Sequence, residues 1–226
     1  MRFILFDIDG TLIDSGGAGI RALNLAFDDM FSVSDAFRGI SMAGKTDLQI
    51  VTEGLRLHGI EGSNGIVPKF LAAYVKHLDN TIDTKNGRIM AGIREALEAL
   101  EEIDDCVLGL LTGNIEQGAM IKLGAFDLAR YFAIGAFGDD DADRNRLLPI
   151  ALEKLREKKS LDINYRQCVV IGDTPRDVDC SKPYGAYSIA VATGPYSYDE
   201  LAGTEADAVL HDLSDTTNFL RILEMK

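Results

Sequence analysis

The sequence predicts an α/β fold in which a Rossmann-like, mostly parallel sheet is flanked by helices and carries an inserted α-helical block. Three observations predict it. Short apolar runs alternate with helical patterns along most of the 226 residues, as in chains built from βαβ units. Only helical patterns occur between about residues 15 and 85. Three apolar runs end in small polar clusters, which is typical of parallel strands that bring a ligand site to one sheet edge.

Each element is predicted from an apolar run or from apolar periodicity. The first strand is the run that ends at Phe6. The inserted helices are predicted over residues 19–31, 47–58 and 66–78. The later elements are a helix over 92–102, a strand over 106–111, a helix after Asn114, a short strand over 133–137, a helix from Leu147, a strand over 167–171, a helix after Pro175, strands over 187–191 and 208–210, and a helix from Ser214. We therefore expect a core domain of residues 1–14 and 86–226 and a cap domain of residues 15–85.

Two acids, Asp7 and Asp9, follow the first strand and precede Gly10. Residues i and i+2 of an extended segment point to the same side, so the two carboxylates could converge on one site. Carboxylates held together at the edge of an apolar core repel each other, and a cation relieves that repulsion. Oxygen ligands without a nearby His or Cys favour Mg²⁺ over zinc or copper. A solvated acidic turn is the alternative for this fragment alone.

The ends of two later strands add polar groups to the same predicted edge. The strand over 106–111 runs into Thr112-Gly113-Asn114, and the strand over 167–171 runs into a segment that contains Asp173 and Asp177. Between them, a stretch with Arg144 and Arg146 precedes a helix and supplies cationic groups. Ligands of open parallel sheets bind at the carboxyl ends of the strands, so these residues belong to one candidate site.

This series of motifs resembles the haloacid dehalogenase superfamily of phosphohydrolases, in its phosphoglycolate-phosphatase-like branch with a helical cap. The resemblance covers residues 7 to 177, from Asp-x-Asp-Gly-Thr to Gly-Asp-x-x-x-Asp. It implies a Mg²⁺-dependent phosphatase that hydrolyses a small phosphomonoester metabolite through an aspartyl-phosphate on Asp7. Asp9 would protonate the leaving group and then activate water.

The resemblance also assigns the remaining roles. Thr112, Gly113, Asn114 and a basic residue would bind the phosphoryl group. Asp7, Asp173 and the carbonyl of Asp9 would hold Mg²⁺, and Asp177 would contact the ion directly or through water.

The basic position departs from the family pattern. The family usually has Lys there, commonly followed by Pro, whereas this chain reads Arg144-Asn145-Arg146 with Pro149 five residues after Arg144. Arg144 is the expected counterpart, and Arg146 or Lys122 could take the role instead. An arginine keeps the charge and can bind phosphate through two nitrogens.

A second motif, Gly39 to Thr46, matches the nucleotide phosphate-binding loop G-x-x-x-x-G-K-[ST]. That loop requires a preceding buried strand, and residues 32–38 are mixed polar instead. The family resemblance suggests that Gly44 to Asp47 form a cap loop facing the substrate. Lys45 and Thr46 are then candidate substrate-binding residues.

Other functions stay open at this stage. A dehalogenase is disfavoured because that branch generally lacks the second acid, Asp9. A sugar-phosphate mutase is disfavoured because it typically has a cap His soon after the first motif, whereas the first His here is His58. A phosphonate hydrolase would need a cap lysine positioned to form a Schiff base, and Lys45, Lys69 or Lys76 are available without a pattern that marks one of them for that role. A non-catalytic binder is the last alternative.

The composition of the chain limits the classes of molecule that we expect it to bind. A net charge of −13 argues against nucleic-acid and anionic-membrane binding. No apolar run approaches the length of a membrane span, and the chain starts directly with a strand, which leaves no room for a signal peptide. We expect a cytoplasmic enzyme acting on a small phosphorylated metabolite, as a monomer or a homodimer.

Overall fold

The computed structural model describes residues 1–61 and 65–224. Residues 62–64 of the predicted cap and residues 225–226 of the predicted core lie outside the described residues.

A six-stranded parallel sheet forms the centre of the described chain, in the order β5-β4-β1-β6-β7-β8. Two further strands, β2 and β3, pair antiparallel in a ribbon of their own. The strands are β1 (Arg2–Phe6), β2 (Ile13–Asp14), β3 (Arg88–Ile89), β4 (Cys106–Leu111), β5 (Gly135–Ala136), β6 (Cys168–Gly172), β7 (Tyr187–Val191) and β8 (Ala208–Leu210).

Helices cover both faces of the sheet and fill the insertion between β2 and β3. They are α1 (Ala18–Phe31), α2 (Asp47–Leu57), α3 (Ile66–Thr81), α4 (Ile93–Glu101), α5 (Glu116–Ala125), α6 (Leu147–Lys159), α7 (Pro175–Ser181), α8 (Tyr198–Ala202) and α9 (Thr216–Glu224). No helix among the described residues is long and apolar enough to cross a membrane.

Strand β1 is central because its side chains alternate between two apolar layers. Ile4 and Phe6 pack into the layer that contains residues of α4, α5 and α9, whereas Phe3 and Leu5 pack into the layer formed with α6. All four are at most 1% exposed. Each such burial stabilises the fold by about 1.5–3 kcal/mol, so the sheet fixes the position of Asp7 at the end of this strand.

The helical insertion has an apolar core of its own. Phe27 of α1 lies edge-on to Phe37 and to Phe70 of α3, with ring centroids 5.6 and 5.8 Å apart. Buried residues of α2, such as Val51, complete this cluster. The insertion therefore packs as one helical layer over the carboxyl edge of the sheet.

The predicted fold class is confirmed: a mostly parallel sheet is flanked by helices and carries a helical insertion. The short strand predicted over 133–137 is reduced to Gly135–Ala136, and the ribbon of β2 and β3 was not predicted. Two-residue strands carry no alternating pattern that a sequence window can detect. The exact domain boundaries stay a prediction.

Candidate active site

A cavity of about 330 Å³ lies between the carboxyl edge of the sheet and the helical insertion. Its sheet side includes Asp7, Asp9, Asn114, Arg144 and Asp173. Its insertion side includes Ile20, Leu23, Met42, Lys45, Asp47, Ile50 and Tyr74. The strand-end residues singled out from the sequence thus lie at one place, as the sheet-edge argument predicts.

Three buried carboxylates converge at the bottom of this site. Oxygens of Asp7, Asp173 and Asp177 lie within 4.8 Å of one another. Asp7 and Asp173 follow the ends of β1 and β6, whereas Asp177 lies in the first turn of α7. One Asp177 oxygen accepts hydrogen bonds from the backbone N–H and the hydroxyl of Thr174, at 3.0 and 2.8 Å. The short helix that follows β6 therefore fixes the third acid.

Arg144 supplies the positive charge of this cluster. Its guanidinium lies 3.0 Å from Asp7 Oδ1 and also contacts Asp177 Oδ1, and its side chain is 4% exposed. Arg146 is instead 69% exposed and pairs with Asp141. Of the three basic residues considered from the sequence, only Arg144 contacts Asp7 in the described chain.

The charges of the cluster perturb one another. Burial raises the pKa of Asp7 to about 6, with further upward contributions from Asp177 and Asp9, although Arg144 acts in the opposite direction. Burial also raises the pKa of Asp173 well above its ordinary value, helped by Asp177 and Asp7. Burial alone would lower the pKa of Arg144, but Asp177 and Asp7 outweigh it and raise that pKa. One arginine therefore stays charged beside three carboxyls that it cannot fully compensate.

These residues fit a hard divalent cation. The three carboxylates are oxygen ligands within a few ångströms of each other, and the nearby charged residue is an arginine, not a His or Cys ligand. Such a donor set suits Mg²⁺ and similar ions. The Asp9 carboxylate lies outside this group, which agrees with a role for its backbone carbonyl rather than its side chain.

Asp9 belongs to a second network. Its Oδ2 lies 2.5 Å from Lys122 Nζ and accepts a hydrogen bond from Asn114 Nδ2 at 2.9 Å, and Ser15 donates to its Oδ1 at 3.3 Å. Burial would raise the pKa of Asp9, but the Lys122 ammonium and these hydrogen bonds outweigh it and lower the pKa. The network favours the ionised form of Asp9 and fixes the orientation of its carboxylate.

Asn114 links this network to Thr112. The Thr112 hydroxyl accepts hydrogen bonds from the Asn114 backbone N–H at 3.3 Å and from Asn114 Nδ2 at 2.9 Å. Thr112 is fully buried and precedes Gly113 and Asn114, which line the cavity. The segment after β4 therefore places the side-chain amide of Asn114 between the Asp9 carboxylate and the Thr112 hydroxyl.

Two glycines make room for Asp173. A methyl group at Gly10, which has φ +85°, or at Gly194 would collide with the Asp173 carboxylate. Thr193 donates a hydrogen bond to the Gly10 carbonyl at 2.5 Å, and Pro195 lines the cavity. Pro195 is thus part of the site wall, and Thr193 and Gly194 pack against Gly10 and Asp173 beside it.

The insertion contacts the sheet edge through the start of α2. The Asp47 N–H donates to the Gly113 carbonyl at 2.7 Å, and the Asp47 carboxylate accepts from the Ile115 N–H at 2.9 Å. Thr46 caps α2 by accepting from Gln49 N–H, and its hydroxyl donates to the Ala142 carbonyl at 3.0 Å. Thr46 therefore lies behind the wall as a docking residue, next to the cavity-lining Lys45.

The nucleotide-loop hypothesis for Gly39 to Thr46 lacks its structural context. Helix α1 ends at Phe31, and the described residues from 32 to 46 contain turns and no strand. Lys45 Nζ lies 2.5 Å from the Glu53 carboxylate of α2 rather than over an open ring of backbone amides. A phosphate-binding loop needs the strand that is missing here.

The sequence did not assign three buried groups of the site. Lys122 was named only as a substitute for Arg144, Asp47 only as the end of the expected cap loop, and Tyr74 received no role. The signal for Lys122 lies in α5, where a lysine shares the buried face with Gly118, Ala119 and Leu123. A lysine on such a face needs a buried partner. Asp47 and Tyr74 carry no comparable signal, because their positions depend on how the insertion packs.

The fold and the site together define an α/β protein of the enzyme type, with a cluster of buried carboxylates suited to a cation at the strand ends beneath a helical insertion. Residues 4–191, more than four-fifths of the chain, match the model of the family described as haloacid dehalogenase-like hydrolase. The chain belongs to this family, which confirms the predicted membership.

Curated relatives and solved structures agree with this assignment. Phosphoglycolate phosphatases of Xanthomonas campestris and Vibrio vulnificus are each 26% identical, covering 85% and 95% of this chain and 84% and 93% of theirs. A hydrolase from Pseudomonas syringae has a TM-score of 0.71 at 23% identity over 98% of this chain and 99% of its own. CbbY from Rhodobacter sphaeroides, in complex with phosphate, has a TM-score of 0.73 at 19% identity over 95% and 96%. The predicted enzyme class, a hydrolase of the phosphatase type, is confirmed.

Proposed function

We propose that this protein is a Mg²⁺-dependent phosphatase that hydrolyses a small phosphomonoester through an aspartyl-phosphate on Asp7. One observation carries the proposal: Asp7, Asp9, Arg144 and Asp173 line one cavity between the sheet edge and the insertion. A dianionic phosphate can approach a carboxylate nucleophile only where positive charge offsets the repulsion. Arg144 and a cation held by the carboxylate cluster supply that charge.

In the first step, an oxygen of the Asp7 carboxylate attacks phosphorus and the bond from phosphorus to the ester oxygen breaks. A protonated Asp9 gives its proton to the departing alkoxide, which leaves as an alcohol. In the second step, the Asp9 carboxylate takes a proton from water, whose oxygen attacks phosphorus and breaks its bond to Asp7. Inorganic phosphate leaves and Asp7 is restored. Two moderate steps thereby replace one difficult step.

The residues around the acids support these roles. Lys122 and Asn114 hold Asp9 beside the cavity, and this contact favours the ionised form that the second step requires. The buried Arg144 Nε–H has no hydrogen-bond partner within the described chain. An unmade bond to a buried donor is costly, and a phosphoryl oxygen would satisfy it.

We propose Asp7, Asp173 and the Asp9 carbonyl as the groups that hold Mg²⁺, with Asp177 contacting the ion directly or through water. When bound by these groups, such an ion would offset the negative charge of the phosphoryl group and polarise it. Thr112, Gly113 and Asn114 are proposed to hydrogen-bond the phosphoryl oxygens, as the family pattern implies. Lys45 stays a proposed contact on the side of the leaving group. Thr46, expected from the sequence to share that role, instead binds the Ala142 carbonyl behind the cavity wall.

Hydrolysis of p-nitrophenyl phosphate tests the proposal. We expect turnover with Mg²⁺, loss of turnover with EDTA, and loss in Asp7→Asn. Asp162→Asn makes the same chemical change at a carboxylate that is 85% exposed, and it should retain wild-type activity. Acid quenching followed by peptide mass spectrometry should find a phosphoryl group on Asp7, and more of it in Asp9→Asn. Turnover that survives Asp7→Asn would refute the mechanism.

A further inference from the structure

We propose that the substrate is the phosphate ester of an uncharged, partly apolar alcohol, rather than an ester whose leaving group carries a carboxylate or a second phosphate. This inference rests on the proposed function and adds the class of leaving group. It follows from the charges and side chains of the cavity beyond the phosphate-binding end.

Each cation in the described wall of the cavity already has an anionic partner. Arg144 is shared by Asp7 and Asp177. Lys122 is 2.5 Å from Asp9. On the insertion side, Lys45 is 2.5 Å from Glu53, with only 17% of the lysine side chain exposed. Arg21 is exposed on α1 and donates to the Gly16 carbonyl outside this wall. A leaving-group carboxylate would have to compete with a bound partner for any of these cations.

Carboxylates also face the space that such a leaving group would occupy. Asp9 and Asp47 both line the cavity, and Asp47 is 6% exposed. An additional anion beside them would be disfavoured by repulsion as well as by desolvation. Relatives named phosphoglycolate phosphatase act on an ester with a carboxylate, so the inference separates this chain from their printed substrate.

The rest of the insertion side is apolar and shaped by the helices. Leu23 of α1 and Ile50 of α2 are 2% and 5% exposed, and both line the cavity together with Ile20 and Met42. Such a surface gains from contact with methylene groups. Gly17, the N-cap of α1, and Gly19, in the first turn of α1, line the wall without side chains, which leaves space for a short carbon chain.

Tyr74 adds one uncharged polar group to this surface. It is 1% exposed, lines the cavity, and has no hydrogen-bond partner for its hydroxyl among the described residues. Burial raises its pKa well above 10, with help from Asp47 and Asp9, so the phenol keeps its proton. A buried hydroxyl donor of this kind suits a neutral oxygen of the leaving group, such as a hydroxyl or a carbonyl.

A matched set of esters tests the inference in the wild-type protein with Mg²⁺. Phosphoglycolate and its amide, carbamoylmethyl phosphate, have nearly the same size and differ in charge. We expect kcat/KM for the amide to exceed that for the acid by about tenfold or more, because like charges at close range are strongly disfavoured. From ethyl to n-butyl phosphate, kcat/KM should rise about tenfold, at the usual gain per buried methylene. Equal or better hydrolysis of the acid, or no rise along the series, would overturn the inference.

Glu53→Gln gives a second, independent readout. Removing the Glu53 charge releases Lys45, so the ratio of kcat/KM for the acid to that for the amide should rise about fivefold, the scale of a partly exposed ion pair. The double variant Glu53→Gln/Lys45→Gln should return the ratio to the wild-type value. A ratio that does not change in Glu53→Gln would show that the Lys45 pair does not set the charge preference.

The outcomes separate this inference from the proposed function. If p-nitrophenyl phosphate is hydrolysed with Mg²⁺ and Asp7→Asn is inactive, but phosphoglycolate is preferred over its amide, the phosphatase mechanism stands and only the leaving-group class is wrong. If no phosphate ester is hydrolysed under any of these conditions, the proposed function fails and the inference fails with it.

Discussion

Replacing Arg144 by methionine removes the cation of the buried acid cluster while keeping a side chain of similar length. In the metal-free protein, Asp7 and Asp177 would then lose the guanidinium that both contact. Their side chains are 8% and 2% exposed, so water cannot replace it. Removing one partner of a buried ion pair costs about 3–5 kcal/mol. Because one cation serves both acids, the two losses do not add, and we expect a total within that range.

Urea unfolding monitored by far-UV circular dichroism, in EDTA at about neutral pH, measures this loss. Arg146→Met is the matched control, since Arg146 lies two residues away and its side chain is 69% exposed in a pair with Asp141. Exposed pairs contribute at most about 1 kcal/mol. Arg144→Lys should lose less than Arg144→Met and retain phosphatase activity, because one ammonium can still contact Asp7. If Arg144→Met were as stable as Arg146→Met, Arg144 would not compensate the charge of the buried acids.

Three further predictions concern the metal, the acid and the cap contact. Mg²⁺ at about 100 times its Kd should stabilise the protein by about 2.7 kcal/mol in thermal or urea unfolding. Asp173→Asn should lose most of this stabilisation, whereas the control Asp162→Asn should keep it. Equal stabilisation of the two variants by Mg²⁺ would exclude Asp173 as a ligand. Asp9→Asn should lower kcat/KM for n-butyl phosphate by about 100-fold or more. It should lower kcat/KM for p-nitrophenyl phosphate much less, because p-nitrophenolate leaves without a proton. An equal loss of kcat/KM for both esters would contradict the general-acid role of Asp9. Burial raises the pKa of Asp47 from 3.8 to about 6. The folded protein therefore keeps this proton over a pH range in which the unfolded chain has lost it. As a result, Asp47 makes the free energy of unfolding fall as pH rises from about 4 to about 6. At about pH 8, Asp47→Asn should therefore be more stable than wild type by up to about 3 kcal/mol, with no gain at about pH 4; a gain that does not vary with pH in denaturant titrations would refute this account.

The sequence predicts most of the sheet because its strands are continuous apolar runs. Strand β4 occurs at Cys106–Leu111, as predicted, and β7 occurs at Tyr187–Val191. Buried parallel strands require apolar residues on both faces, and such runs are easy to detect. The two-residue strands β2 and β3 pair where the chain enters and leaves the helical insertion. Because their pairing depends on this tertiary arrangement, no local sequence pattern predicts them.

The site residues likewise include some that the sequence predicts and others whose contacts depend on tertiary packing. Asp7, Asp9 and Asp173 lie at strand ends, and strand ends can be located from sequence. The partner of Asp9 could not be located, since Lys122 reaches it from a helix more than one hundred residues later. Likewise, the pairing of Lys45 with Glu53 depends on how the loop enters α2. Contacts made across elements follow from tertiary packing, which one sequence does not list.

The central position of β1 has a consequence for synthesis of the chain. This strand is synthesised before both of its neighbours, β4 and β6, which end at residues 111 and 172. Until β6 is made, one edge of β1 remains unpaired and Asp7 lacks both Asp173 and Asp177. Unpaired strand edges on nascent chains favour aggregation. The helical insertion, with an apolar cluster contained within residues 18–115, can be translated before the sheet closes. A nascent chain that stops short of β6 would thus carry the substrate-facing helices without a completed catalytic centre.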